Sequence, residues 1–333
     1  MKWKKGNIYG FAAIHLLAAL ALLPWFFSWT GVVLLVAGAY VFGVLGINIC
    51  FHRLLTHRSF SCPRWLEYGG AILAVCSLQD SPPHWVAVHR RHHQFADEEY
   101  DPHSPLRSFF WAHMGWLMVK MDDMRRAPLI EQYAKDIVRD PFYGWLERRS
   151  NWLVVGLVSW IAYFAAGFGA AALAGESWPD AAQFGASVLV WGAILRTVVV
   201  WHLTWSVNSV THVWGYRNYE TPDVSRNNSL IAMLVSGEGW HNNHHADPRS
   251  ARHGHKWWEF DLTWLVIRFL MLLGLAKNVA VPSPILDAKF NSGSPPLAPE
   301  DTAILTPPDA PPGPRAAGAD APRASASKHR TPG

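Results

Sequence analysis

The chain has 333 residues, half of them hydrophobic and only 16% charged, with 19 tryptophans and a formal net charge of +4. A charged share that far below the roughly 25% of soluble domains argues against an ordinary soluble enzyme, and the modest net charge gives no ground for a nucleic-acid partner. Cys50, Cys62 and Cys76 are too few and too irregularly spaced for a disulfide framework or a zinc motif.

After the basic start MKWKK, apolar runs at 8–29, 31–50, 152–174 and 184–204 are each long enough to cross a hydrocarbon core of about 30 Å as helices. The first is too long for a signal peptide and has no small-residue cleavage site. It leads straight into the second across a tight turn at Thr30-Gly31. Lys2, Lys4 and Lys5 hold the N-terminus in the cytoplasm, which puts segments 51–151 and 206–280 on that side and the acidic connection GESWPDAA outside. The expectation is an all-α integral membrane protein of a bacterial inner membrane, with four transmembrane helices and a cytoplasmic helical cap. Residues 1–280 form its single domain. Residues 281–333, rich in Pro and Ala, bury too little to fold and read as a disordered tail. Arg196, inside the fourth run, is expected to snorkel toward the cytoplasmic interface, and the pairs Arg125-Arg126 and Arg148-Arg149 to face solvent.

Nine histidines stand beyond these runs on one membrane face. HRLLTH supplies His52 and His57, HRRHH supplies His89, His92 and His93, NSVTH supplies His212, and HNNHH supplies His241, His244 and His245. In a helix, positions i, i+3 and i+4 share a face, so each H-x-x-H-H aims three imidazoles at one locus. Neutral imidazole is the commonest protein metal ligand. Nine are too many for one ion, and two ions use them sensibly; imidazole alone suits Fe, Zn, Cu and Ni alike. Asp97, Glu98, Asp101, Glu238 and Asp247 stand close enough in sequence to orient the rings. His15 and His202, within the apolar runs, suit a buried hydrogen-bonded pair. His103, His113, His253 and His255 suit positions behind the ligands or at the surface, and His84 a place near substrate.

These boxes, together with QDSPPHWVAVHRRHHQF, DPHSP, NSVTHVWGYRNYETPD and GEGWHNNHH, resemble the integral-membrane fatty-acid desaturases, most of all the bacterial and plastid-type Δ9 acyl desaturases. The likeness runs from the first apolar run to about residue 280. It implies two irons on the nine histidines named above, with Asn208 reaching one iron through a water. It also implies an acyl tunnel bent at Gln79, Trp85, Thr204 and Trp205. The implied reaction is O₂-dependent insertion of a cis double bond, Δ9, into a saturated acyl chain. The chain carries no dinucleotide fingerprint, haem-attachment motif or cytochrome domain, so electrons come from a separate protein, a ferredoxin or a cytochrome b5-like carrier. Where acyl-CoA members of the family have Asn after the tunnel glutamine and Arg-Asp before the second box, this chain has Asp80 and Ala87-Val88, which favours an acyl chain esterified in a glycerolipid over acyl-CoA. The rival readings are a membrane di-iron hydroxylase on lipid or alkyl substrates and, more remotely, a histidine-rich metal transporter.

Overall fold

The computed structural model describes residues 2–282, so the expected tail lies outside the described residues apart from its first two positions. Among the described residues, four helices are long and apolar enough to cross a membrane: Lys5–Leu22, Trp29–Thr56, Pro141–Leu173 and Trp178–His212. The architecture is otherwise short helices and loops with one two-residue ladder, and large apolar side chains such as Leu16, Val33, Val36, Ile161 and Leu173 are exposed along the long helices. An apolar exterior of that kind fits a membrane-embedded protein.

The boundaries differ from the hydropathy reading for local reasons. Helix α1 (Lys5–Ala18) runs into a 3₁₀ turn that stops at Leu22, because Pro24 biases Leu23 to an extended conformation. The turn therefore lies between Leu22 and Trp29. Thr30 and Gly31 are already inside α2 (Trp29–Gly38), where Ser28 caps the helix by accepting from the Gly31 N–H at 2.9 Å. Helix α2 continues unbroken into a π-wound segment, Ala39–Thr56, six residues past the expected end. It carries His52 with it and ends on His57.

The cap follows. Helix α3 (Arg64–Val75) packs so closely on the π-wound segment that a Cβ on Gly46 would stand 2.7 Å from the Ala74 backbone nitrogen. Helix α4 (Pro82–Gln94) starts with two prolines in its first turn, capped by Ser81. Then come α5 (Phe109–His113), α6 (Arg126–Tyr133), α7 (Lys135–Val138) and α8 (Pro141–Glu147). Arg149 and Ser150, both at left-handed φ, kink the chain into α9 (Asn151–Leu173). Helix α10 (Trp178–Leu189) passes through a π-wound turn, Val190–Leu195, into α11 (Arg196–Ser209). The chain closes with α12 (Ser229–Leu234), α13 (His241–Ala246) and α14 (Leu262–Leu272). Strand β1 (Lys2–Trp3) pairs antiparallel with β2 (Val119–Lys120) and ties the N-terminus to the cap.

Two charged residues depart from expectation. Arg196 does not snorkel: it is fully buried, donating to the carbonyls of Cys76 (2.8 Å) and Gly192 (3.2 Å), with its guanidinium 3.9 Å above the Phe42 ring. Carbonyls and an aromatic face replace water around it. Arg126 is only partly exposed, its guanidinium clasped between Asp80 and Glu147.

Candidate metal centre

The nine histidines converge, but not triplet by triplet. One ligand atom from each of His52, His57, His89, His93 and His244 falls within 4.8 Å of all the others, and the same holds for His92, His212, His241 and His245. Each H-x-x-H-H box is thus split. The i and i+4 rings of HRRHH join the five-membered set while i+3 joins the four; HNNHH gives its i and i+4 rings to the four and its i+3 ring to the five. A helix turns about 100° per residue, so i+3 and i+4 lie on opposite sides of residue i's direction, close enough for one pocket and far enough apart for two centres.

The H-x₄-H spacing of His52 and His57 depends on the π-winding. In an α-helix, residues five apart differ by about 140° and diverge. Here His57 N–H donates to His52 C=O at 3.2 Å, the i to i+5 pattern of a π-helix, and the two ring centroids are 4.8 Å apart.

The residues between the histidines hold the boxes in place. Arg90 donates to the carbonyls of Thr56 (3.1 Å) and Leu55 (2.9 Å), which lack helical partners at the end of the π-wound segment. Asn243, fully buried, accepts from Asn218 and Asn227 and donates to Glu259 and the His253 carbonyl, all at 2.7–2.8 Å. Asn242 accepts from the backbone of Asn218 and Tyr219.

Carboxylates fix the rings from behind. His52 Nδ1 meets Glu238 (2.6 Å), His92 meets Asp101 (3.0 Å), His212 meets Asp97 (2.9 Å) and His245 meets Asp223 (2.9 Å). Three of these lie behind the four-histidine set and one behind the five. Of the expected orienting acids, Asp97, Asp101 and Glu238 serve, Glu98 is exposed, and Asp247 is buried at the end of α13. Asp223 was not foreseen; its only signal is its place in YETPD, eleven residues after His212. Glu238 is itself held by the fully buried Arg53, which also binds Asp261.

This donor set fits a pair of cations. With Nδ1 of His212 and of His245 donating to carboxylates, their Nε2 atoms are bare lone pairs, yet both stand 3.0 Å from His241 Nε2, which has at most one proton to share. In the five-membered set His244 Nε2 meets His52 (3.1 Å) and His93 (2.9 Å), His93 meets His89 (3.1 Å), and His57 Nε2 is buried with no partner. Burial, then neighbouring imidazoles, holds His57, His89, His93, His241 and His244 well below the ordinary imidazole range, so their lone pairs are free at neutral pH. For Asp101 and Asp223 burial acts to raise the carboxyl, but their histidine partners outweigh it and keep both ionised. His103 lies 4.3 Å from the His92 ring, with its pKa lowered to about 3 by burial and then by His92; His253 is fully buried between Glu238 and His244.

A cavity of about 320 Å³ reaches the histidines and is lined by all four expected tunnel residues, Gln79, Trp85, Thr204 and Trp205, and by Asn208 and His84. Gln79 donates to Thr204 Oγ1 at 2.9 Å, bridging α11 and the loop before α4; Leu78 and Asp80 on either side of it hold left-handed φ of 53° and 85°. Trp85 stacks on His89 at 5.1 Å. His15, His202 and His113 form a separate hydrogen-bonded row, at 3.0 and 2.9 Å, ending on Ser209.

The fatty acid desaturase family model matches residues 24–271. The chain belongs to the fatty acid desaturase family. It is 42% identical to the sn-1 stearoyl-lipid 9-desaturase of Synechocystis sp. over 83% of this chain and 80% of that protein. It is 39% identical to the sn-2 palmitoyl-lipid 9-desaturase of Nostoc sp. (84% and 90%) and 38% identical to the icosanoyl-CoA 5-desaturase of Limnanthes douglasii (88% and 78%). This desaturase is therefore an oxidoreductase of lipid metabolism, with histidine clusters able to bind metal beside an apolar cavity.

Proposed function

We propose that this desaturase holds two irons and uses O₂ to place a cis double bond at Δ9 of a saturated acyl chain esterified in a glycerolipid. The observation that carries the reading is the pairing of two imidazole sets with one mostly apolar cavity. His52, His57, His89, His93 and His244 would hold one iron and His92, His212, His241 and His245 the other, and Asn208, which lines the cavity, would reach one of them through a water. When bound, the iron pair supplies the reduction of O₂ and the oxidising strength needed to take two hydrogens from unactivated methylenes.

The chain's own groups supply position. Successive methylenes are chemically alike, so the double bond is set by how far the acyl chain threads before it passes the imidazoles; the Gln79–Thr204 bridge and the faces of Trp85 and Trp205 fix that depth. Trp201 and Phe11 pack on Trp205 and hold its ring in the wall. Asp97, Asp101, Asp223 and Glu238 hold the Nδ1 protons of His212, His92, His245 and His52, so these four rings present Nε2. Overall, one saturated bond, O₂, two electrons and two protons give one alkene and two waters. The electrons come from a separate ferredoxin or cytochrome b5-like protein.

The glycerolipid substrate is supported by the three positions that differ from acyl-CoA enzymes. Ala87 and Val88 are buried in the cap core, and the Asp80 carboxylate is occupied by Arg126 (2.6 and 3.1 Å) and His84 (2.9 Å). The named glycerolipid relatives from cyanobacteria support it too. The helices lie in the bacterial inner membrane with both termini and the metal centre cytoplasmic, as the N-terminal lysines favour. The test is metal analysis of the purified desaturase together with label transfer. Two irons per chain, and desaturation of labelled glycerolipid but not of labelled acyl-CoA in lipid-free detergent, are expected. Zinc in place of iron, or desaturation of acyl-CoA alone, contradicts the reading.

A further inference from the structure

Residues 76–81 lead from the end of α3 past Gln79, which lines the cavity, into α4. This strap is gripped three times by one helix. Arg196 Nη1 donates to the Cys76 carbonyl at 2.8 Å, Trp201 Nε1 to the Ser77 carbonyl at 2.7 Å, and Thr204 Oγ1 accepts from Gln79 Nε2 at 2.9 Å. The first two acceptors lie just past the last turn of α3, where carbonyls have outrun their helical partners. Leu78 turns the backbone between the grips at a left-handed φ of 53°. Behind it α9 comes so close at Gly156 that a Cβ there would run into the Leu78 side chain.

Arg196 is the grip that the fold alone explains least. A guanidinium buried without a counter-ion is costly. Among the described residues no carboxylate pairs with Arg196, and its Nη2 has no hydrogen-bond partner. The negative end of the α3 dipole compensates part of the charge. What a smaller neutral donor lacks is reach to two places at once: Arg196 joins the strap at Cys76 to Gly192 (3.2 Å), in the π-wound turn from which α11 starts. Its stem lies against Gly38 of α2, where a Cβ would stand 3.1 Å from Cγ, and Phe42 lies under the guanidinium. We propose that Arg196 is a positioning residue for the site of desaturation. By pinning the strap to the start of α11 it sets the distance from Gln79 to the histidines, and with it the carbon at which the alkene forms. The proposal rests on the reading of the cavity as the acyl tunnel. About 12 Å of helix rise separates Arg196 from Thr204, and the same helix leads on to Asn208 in the cavity wall and to His212 in the four-histidine set. A strap free to slide along α11 by a fraction of a residue would bring a neighbouring carbon to the histidines.

The experiment expresses the full chain in a desaturase-deficient host fed stearic acid and supplied with ferredoxin and its reductase. The readout is the ratio of the principal alkene isomer to its positional neighbours, by mass spectrometry. Arg196→Met, Arg196→Lys and Trp201→Phe are compared with the intact chain, and Gln79→Ala serves as the control that strikes the tunnel directly. The intact chain is expected to give one positional isomer in large excess. Arg196→Met is expected to lower the ratio at least fivefold. Arg196→Lys, which keeps one donor for Cys76, should lie between that and the intact chain. Trp201→Phe, which removes only the grip on Ser77, should shift the ratio in the same direction. The ratio is taken within each variant, so poor folding lowers all isomers together and leaves it unmoved. A ratio within about twofold of the intact chain in Arg196→Met, while Gln79→Ala broadens the isomers, overturns the role of Arg196 and leaves the tunnel standing. If Arg196→Met makes no alkene, Arg196→Lys decides by the same criterion, and Trp201→Phe if that variant is silent too. An unmoved ratio in Gln79→Ala as well overturns the reading of the tunnel bend and the proposal with it.

Discussion

At the scale of single residues, the centre is as much a matter of carboxylates as of histidines. Three acids lie behind the four-histidine set and one behind the five, so the four rings are the more basic donors. Removing Asp223 frees His245 to rotate and to take the other tautomer. Asp223→Ala is expected to weaken metal binding at that set about 10- to 100-fold, read as loss of close to half the iron during dialysis against a chelator. Full retention would make Asp223 a bystander. Asp80 gives a pH prediction. Burial acts to raise its carboxyl, but His84 and then Arg126 outweigh it and hold the group well below the usual range in the folded chain. The unfolded state therefore takes up the proton first. The stabilisation is complete above the unfolded value of about 3.9 and fades as pH falls toward the folded one. Thermal melts in detergent should show Asp80→Asn less stable than the intact chain at pH 7, with the gap narrowing below about pH 4. A gap that widened on acidification would refute the assignment. The histidine boxes were legible as a motif set, whereas Asp223 was not, because an orienting acid needs only to arrive in space and keeps no fixed spacing from its ring.

At the scale of elements, winding and close contact decide what hydropathy cannot. The apolar runs were legible because crossing length and side-chain character are averages over many residues. Their ends were not: Pro24 stops the first helix at Leu22, Ser28 starts the second, and the π-wound segment carries the second as far as Thr56. Nothing in the side-chain pattern of HRLLTH announces π-winding, because it is stabilised from outside, by Arg90 on the last carbonyls and by α3 against Gly46. Even one methyl on Gly46 meets the Ala74 backbone. Gly46→Ala is expected to cost about 1–3 kcal/mol as overpacking and to misalign His52 and His57. A lower melting temperature together with reduced iron at the five-histidine set is the expected pair of results, and unchanged values for both would show that the two helices have room to separate. The triplets likewise followed helical spacing, but a one-dimensional pattern does not distinguish one pocket from two centres inside it.

At the scale of the whole molecule, the long helices bring α4, α13 and the end of α11 together over a single apolar cavity, and every ligand set draws on at least two of these or on the π-wound segment. His92 and His244 belong to different sets although each sits in a triplet, so changing both strikes both centres at once. The central claim is tested most directly by fatty-acid methyl ester analysis in an aerobic, desaturase-deficient host supplied with ferredoxin and its reductase, comparing the intact chain with the His92→Ala, His244→Ala double variant at equal membrane abundance. The account predicts a new monounsaturated ester, lighter than its parent by two hydrogens and with its alkene at the ninth carbon, from the intact chain alone. A hydroxylated ester, or an alkene that persists in the double variant, would contradict it.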